Sequence, residues 1–291
     1  MSKSFSELTK AHPCFAVGAK PNRGRIHLPV SPGCNISCRF CRRELGSDDV
    51  RPGVAASIIS PAEAVAAVRR ALEICPEITV VGVAGPGDTL ATPYALATFR
   101  LIKKMFPGII ACMSTNGLLL PQHADDILEA GIDALTVTVN AVDPKIQAQI
   151  CSGIIYQGSR YAGEEAAEIL IRNQLAGIEK VADAGLTVKV NTVLIPEINA
   201  LHVQAVAKAV SERGAKIYNI IPLIPQHELA WCSSPSCALI SSVRDEVEKY
   251  IKVFRHCQRC RADAVGVPGQ EDFSKQVYVR PIRHEDTFSH G

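Results

Sequence analysis

The sequence predicts an α/β fold, an incomplete (β/α)6 barrel, and three observations carry that expectation. Short apolar segments alternate with amphipathic helical ones six times, the pattern of a parallel sheet with right-handed crossovers. At 291 residues, with 47% hydrophobic and 21% charged residues, the chain has the length and composition of one large domain of this kind. A tight cysteine loop directly follows the first strand, and barrels place active-site residues at the C-terminal ends of their strands.

Residues 1–25 are polar and turn-rich, with Pro13, Pro21, Asn22 and Gly24, and are expected to form a loop extension carrying Cys14. The barrel domain is expected over 26–254 and opens with a strand at 26–30. The charged, turn-forming stretch 42–53 reads as a surface excursion near the barrel mouth. Ser60 as N-cap, Pro61 at the first helical position and Glu63 in the first turn start a helix running to about Ile74. Further strands at 78–84, 108–112, 134–139, 186–193 and 217–221 alternate with helices at 93–106, 121–130, 163–184 and 200–213. A last helix over about 239–254 leads into an extension, 255–291, that carries Cys257 and Cys260. The two extensions are expected to close the barrel mouth.

Composition narrows the function. A net charge of +2 without long basic runs argues against nucleic acid and acidic membranes as partners. No apolar run reaches the roughly 18 residues of a membrane span, and the start lacks a signal-peptide core, so a cytoplasmic protein is expected. In that setting the eleven cysteines read as metal ligands and buried thiols rather than disulfides.

Cys34, Cys38 and Cys41 have the spacing C-x3-C-x2-C. Three thiolates in so short a loop suit three corners of a [4Fe–4S] cube and leave the fourth iron open to a substrate or cofactor. A structural zinc site, the competing reading, prefers four ligands in two spaced pairs. After the second strand, Gly85 and Gly87 let the backbone approach a ligand, and Asp88 can accept from an ammonium group; the alternative is an ordinary turn. Ser114 and Asn116 end the third strand, Asn140 ends the fourth and Asn191 lies in the fifth, each placing polar groups toward one rim. The C-x2-C pair Cys257 and Cys260 lacks the strand-to-helix setting of a redox couple and reads as metal-binding, with at least one ligand from elsewhere. His27 lies in the first strand, whose end meets the cavity, and Cys112 ends the third, so both can point inward, although a hydrogen-bonded core histidine and a small buried thiol are the ordinary alternatives. Cys75, Cys151, Cys232 and Cys237 receive no role.

The cysteine loop, with Phe40 before its last cysteine, resembles the signature of radical S-adenosylmethionine (SAM) enzymes. That resemblance implies a partial TIM-like barrel, and a cluster on Cys34, Cys38 and Cys41 whose open iron binds SAM and whose electron cleaves it to a 5'-deoxyadenosyl radical. It also implies that Phe40, Gly85, Gly87, Asp88, Ser114, Asn116, Asn140 and Asn191 surround the cofactor. His12-Pro13-Cys14, Arg25-Ile26-His27, Arg51-Pro52-Gly53, Pro222-Leu223-Ile224-Pro225 and the terminal Cys260-Arg261-Ala262-Asp263-Ala264-Val265-Gly266 further resemble the NifB family, the radical SAM enzymes of nitrogenase cofactor biosynthesis.

What this narrower resemblance implies is two substrate [4Fe–4S] clusters beside the SAM cluster, one on Cys14, Cys257 and Cys260, the other on His27 and Cys112. The enzyme would fuse them, with carbide from a SAM methyl group and added sulfur, into an [8Fe-9S-C] precursor. Expected partners are cluster donors, a separate cofactor carrier and an electron donor such as ferredoxin or flavodoxin, for a chain acting as a monomer. The family usually has one more cysteine before the Arg-Pro-Gly element, where this chain reads Gly46-Ser47-Asp48-Asp49. Either Asp48, Asp49 or a more distant residue substitutes, or that cluster is held more loosely, or the product differs. A radical SAM enzyme with auxiliary clusters and an organic substrate is the alternative reading; a mere cluster carrier is disfavoured because it needs no cofactor pocket.

Overall fold

The structure is a computed structural model that describes residues 3–15 and 22–278. Its centre is a run of six parallel strands in chain order, β1 (Gly24–His27), β2 (Ile78–Val83), β3 (Ile110–Thr115), β4 (Ala134–Thr138), β5 (Thr187–Leu194) and β6 (Ile217–Pro222). These are the six strands expected from the sequence, within a few residues at each end. Two short strands extend the sheet: β7 (Lys252–Val253) lies parallel to β6, and β8 (Val265–Gly266) runs antiparallel to β1. Among the described residues the sheet stays open between β7 and β8, as an incomplete barrel does.

The crossover helices α2 (Pro61–Ile74), α3 (Tyr94–Met105), α4 (Leu120–Glu129), α6 (Gly163–Asp183), α7 (Val203–Ser211) and α8 (Cys237–Val247) cover the outer face. Ser60 is the N-cap of α2 as expected, and Glu63 completes a reciprocal cap, each side chain accepting from the other's backbone N–H. The outward strand residues Val81, Val83, Ala111, Met113, Leu135, Val137, Val188 and Val190 build the main core against these helices. By the period of two along each strand, the alternate residues face inward. They include His27, Gly82, Cys112, Ser114, Thr136, Lys189, Asn191 and Asn219. A barrel interior is normally filled by branched apolar side chains; this one is polar and sulfur-bearing, which is the signature of a chamber.

The chamber is sealed at the N-terminal ends of the strands. Leu8 of α1 (Phe5–Ala11) and Phe15 pack with Val80, Ile110, Ala134, Ile217 and Phe254 into a second apolar cluster. The sequence reading of 1–25 as loop is corrected here: residues 5–11 are helical, started by a Ser4–Glu7 capping box that the nearby prolines obscure. The excursion at 42–53 is also more ordered than expected, with Glu44–Leu45 and Val54–Ala55 paired and the buried Arg51 side chain donating to Arg42 O and Glu44. The last helix is shorter than expected, because Lys252 and Val253 join the sheet instead.

One region escaped the sequence reading altogether. Helix α5 (Pro144–Ile150) leads into a hairpin, Cys151–Tyr156 with Ser159–Ala162, whose turn has positive φ at Gln157 (51°) and Gly158 (78°). This hairpin pairs antiparallel with Ile36–Cys38, inside the cysteine loop.

Candidate functional site

Backbone pairing places the cysteine loop. Cys38 lies opposite Cys151, Ile36 opposite Ile154, and Ile155 N–H donates to Asn35 O at 2.8 Å. The other side of the loop rests on 85–88: Gly87 N–H donates to Ser31 O and Asp88 N–H to Gly33 O, both at 2.8 Å. A Cβ on Gly87 would lie 2.0 Å from Gly33 O, so this glycine is demanded by the approach of two protein backbones rather than by a ligand. Asp88 likewise has an internal use. Its buried carboxylate accepts from Asn116 N–H (2.6 Å), Leu90 N–H (2.9 Å) and the Thr115 hydroxyl, tying 85–88 to the end of β3. These internal bonds stand beside the expected contact of Asp88 with a ligand's ammonium group, since a carboxylate has about four acceptor sites.

Asn116 reaches the loop directly, its Nδ2 donating to Asn35 Oδ1 at 2.7 Å and lying 3.8 Å from Cys34 Sγ. Phe40 packs beside Val193, Ile195 and Leu223, and its carbonyl accepts from Gln226. Ser114 and Asn191 face the chamber and are partly exposed. Asn140, by contrast, is buried, and its Oδ1 accepts from Val193 N–H at 2.9 Å, so it braces β5 instead of lining the rim. Burial pushes the Cys34 thiol up to about 11 and raises Cys41; for Cys38 the neighbouring Cys151 is the leading cause. Protonated thiols are poor ligands, so binding iron must release their protons.

A second group of donors gathers deeper, from four distant stretches of chain. His27, Gly82 and Cys112 are register neighbours across β1, β2 and β3. His27 Nδ1 is 3.0 Å from Arg261 O; a carbonyl only accepts, so Nδ1 carries the proton and Nε2 keeps its lone pair. Burial, helped by Arg25, lowers the imidazole to about 4 and keeps it neutral. Gly82 leaves the space this ring uses, since a Cβ there would meet His27 Cδ2 at 3.0 Å. Cys112 is pushed up to about 12 and Cys14 to about 11, both chiefly by burial.

Cys257 and Cys260 face this chamber from the C-terminal segment, which β8 straps to β1. Arg25 donates to Cys260 Sγ at 3.3 Å and to Gly266 O at 2.6 Å. Asn219 donates to Cys257 Sγ at 3.3 Å and to Asn191 Oδ1 at 3.1 Å. Side-chain donors aimed at sulfur are the surroundings that orient and stabilise a metal-bound thiolate. A cavity of about 1010 Å³ adjoins the pair, lined by Arg25, Ser47, Asp48, Arg261 and Asp263 among others. Among the described residues no three His, Cys, Asp or Glu side chains converge on a single ion position. A cube whose corners take one ligand each does not require that convergence.

The sequence reading missed Arg25, Lys189 and Asn219 as contributors. Their signal was strand parity: a charged or amide side chain at an inward position, Lys189 between Val188 and Val190, Asn219 between Tyr218 and Ile220, and Arg25 before Ile26. Asp48 and Asp49, named as substitutes for the absent family cysteine, have side chains 95% and 61% exposed, and Asp48 stands on the wall of the cavity beside the cysteine pair. Their loop is held through its backbone, Ser47 O and Asp49 O accepting from Arg261 at 2.7 and 2.9 Å.

Comparison with known proteins settles the family. The radical SAM superfamily pattern matches residues 28–210. The FeMo cofactor biosynthesis protein NifB of Methanocaldococcus jannaschii is 44% identical over 300 residues, covering 100% of this chain and 98% of that one. This chain belongs to the NifB family. The NifB of Klebsiella pneumoniae is 40% identical, and there the match covers 93% of this chain but 59% of the relative. Among solved structures, a radical SAM methyltransferase from Sphaerobacter thermophilus superposes with a TM-score of 0.59 at 20% identity, over 81% of this chain and 66% of that one. SuiB of Streptococcus suis, with a TM-score of 0.56 at 10% identity, covers 79% of this chain and 49% of SuiB. These two likenesses establish the partial-barrel fold. As a NifB-family member, the chain is a radical SAM enzyme that uses a [4Fe–4S] cluster and SAM. No helix among the described residues is long and apolar enough to cross a membrane.

Proposed function

We propose that this chain performs the NifB step of nitrogenase cofactor biosynthesis, joining two substrate [4Fe–4S] clusters into the iron–sulfur core of the FeMo cofactor precursor. The observation that carries this reading is the second donor group. A radical SAM enzyme with only its resident cluster needs the rim loop alone, whereas here Cys14, Cys112, His27, Cys257 and Cys260 also border the chamber beneath it, enough donors for two further clusters.

In this reading Cys34, Cys38 and Cys41 hold the resident cluster, and Asn116 fixes the base of their loop from β3. When bound, that cluster and SAM supply methyl transfer and a 5'-deoxyadenosyl radical. Ser114 and Asn191 line the passage between rim and interior and offer hydrogen bonds to the cofactor. His27 presents an unprotonated Nε2, and Arg25 and Asn219 stabilise Cys260 and Cys257 as thiolates. Cys14, Cys257 and Cys260 then grip one substrate cluster, while His27 and Cys112 hold the other with fewer protein ligands than the family uses. Cluster donors upstream and a carrier of the product downstream follow from the same chemistry.

Anaerobic reconstitution tests this. About twelve irons per chain, on a four-iron count for each of three clusters, with both 5'-deoxyadenosine and S-adenosylhomocysteine formed on adding SAM and reductant, is the expected result. Four to eight irons with 5'-deoxyadenosine alone would favour a radical SAM enzyme with auxiliary clusters and an organic substrate.

A further inference from the structure

Lys189 sits at an inward position of β5, between the fully buried Val188 and Val190, and is itself only 6% exposed. Its ammonium lies 3.4 Å from Cys14 O and above the rings of Phe15 and Phe254, at 5.0 and 5.5 Å from their centroids. No carboxylate among the described residues comes within ion-pairing distance of it. A buried cation served only by a carbonyl and two ring faces is poorly compensated.

The groups that feel its charge are thiols and imidazoles: Cys14, Cys112, Cys257, His12 and His27 all register it. His12 adds an independent sign of the same kind. It is 2% exposed, its Nδ1 accepts from Cys14 N–H at 3.0 Å, and its Nε2–H therefore points into the protein with no acceptor. One compartment thus holds a cation without an anion and a donor without an acceptor, and Cys14 lies against both.

From this geometry we infer that Lys189 is the counter-charge for the substrate clusters, with the uncharged His12 offering its Nε2–H as a hydrogen-bond donor beside it, so that two anionic clusters can be held together in one chamber. A [4Fe–4S] core with thiolate ligands is anionic, and two such bodies repel strongly in a low-dielectric chamber unless a fixed positive charge lies between them. Lys189 is a positioning residue in this scheme. The inference rests on the proposed function, and its test separates the two.

The test uses the full chain with Cys34, Cys38 and Cys41 changed to Ala, so that only substrate clusters load, and compares Lys189 with Lys189→Met and Lys189→Arg. Three quantities are read anaerobically: iron per chain, cluster reduction potential by EPR titration, and melting temperature of the iron-free protein. Lys189→Met should lose substrate-cluster iron or shift the remaining clusters to more negative potential. A tenfold weakening of the reduced form corresponds to about 59 mV for a one-electron couple. Lys189→Arg should stay near the parent. The iron-free Lys189→Met chain should melt no lower than its parent, because an uncompensated buried charge has been removed; a merely structural lysine would give the opposite. Normal iron and potential in Lys189→Met, or a lower melting temperature with normal clusters, would overturn the assignment to Lys189 alone. A parent chain that binds no iron would overturn the proposed function and this inference with it.

Discussion

At the rim, Cys34, Cys38 and Cys41 stand within eight residues of one another and are positioned by backbone: a hairpin pairs with one side of their loop and residues 85–88 with the other. In the chamber, five donors come from the N-terminal segment, β1, β3 and the C-terminal segment, and the cysteine pair is steadied by side-chain bonds from Arg25 and Asn219. The difference teaches where each site is vulnerable. The rim depends on the chain's local path, whereas the chamber depends on strand parity and on charge.

The sharpest way to break the comparison is to remove ligands from one site at a time. Cys34→Ala should abolish SAM cleavage completely while iron in the chamber persists; Cys257→Ala with Cys260→Ala should remove about one four-iron cluster and leave SAM cleavage at the rim. Loss of both activities in either variant, read by iron assay and 5'-deoxyadenosine formation, would show that the two sites are not separable.

Next in size is a pH effect confined to the iron-free chain. His27 drops from 6.5 to about 4 on folding, so between those values the unfolded chain binds the extra proton and stability falls as pH falls. The loss amounts to about 3 kcal/mol, at about 1.4 kcal/mol per pKa unit, and the buried His12 acts in the same direction. Above pH 9 the thiols act in reverse. Cys14, Cys34 and Cys112 stay protonated in the folded chain to about 11 or 12, so the unfolded chain ionises first and stability falls as pH rises. Denaturant melts of the iron-free protein from pH 4 to 10 should therefore peak between about 6.5 and 9; a flat profile would mean that these groups are not buried in solution.

The smallest effects sharpen the picture of the chamber. Arg25→Gln removes a charged donor from Cys260 and from Gly266 O and should cost about 2 kcal/mol in addition to loosening the cysteine pair. Gly82→Ala crowds the His27 ring and should cost about 1 kcal/mol, with iron lost from the chamber and none from the rim. Iron content together with urea melts checks both.

The same contrast explains what could be read from sequence. Six strands were legible because valine and isoleucine mark their outer faces, and the rim cysteines because they are contiguous. The hairpin after α5 was not, since Cys151–Ala162 carries polar residues and glycine, and its only clear signal is the Gln157–Gly158 turn. Asn140 is legible as a polar strand end and Asp88 as the polar partner of the glycines after the second strand, but which internal bonds each group makes depends on where Val193 and Asn116 lie in three dimensions. Arg25 and Asn219 needed both parity and knowledge that the C-terminal segment folds back onto β1.

That fold-back also bears on how the protein is made. The rim loop has its supporting hairpin once residue 162, a little past the middle of the chain, has left the ribosome. Strand β1 lacks its antiparallel neighbour, and Arg25 its sulfur partner, until residues 260–266 emerge. The chamber is therefore assembled late in vectorial synthesis, its last two donors, Cys257 and Cys260, lying near the end of the described residues.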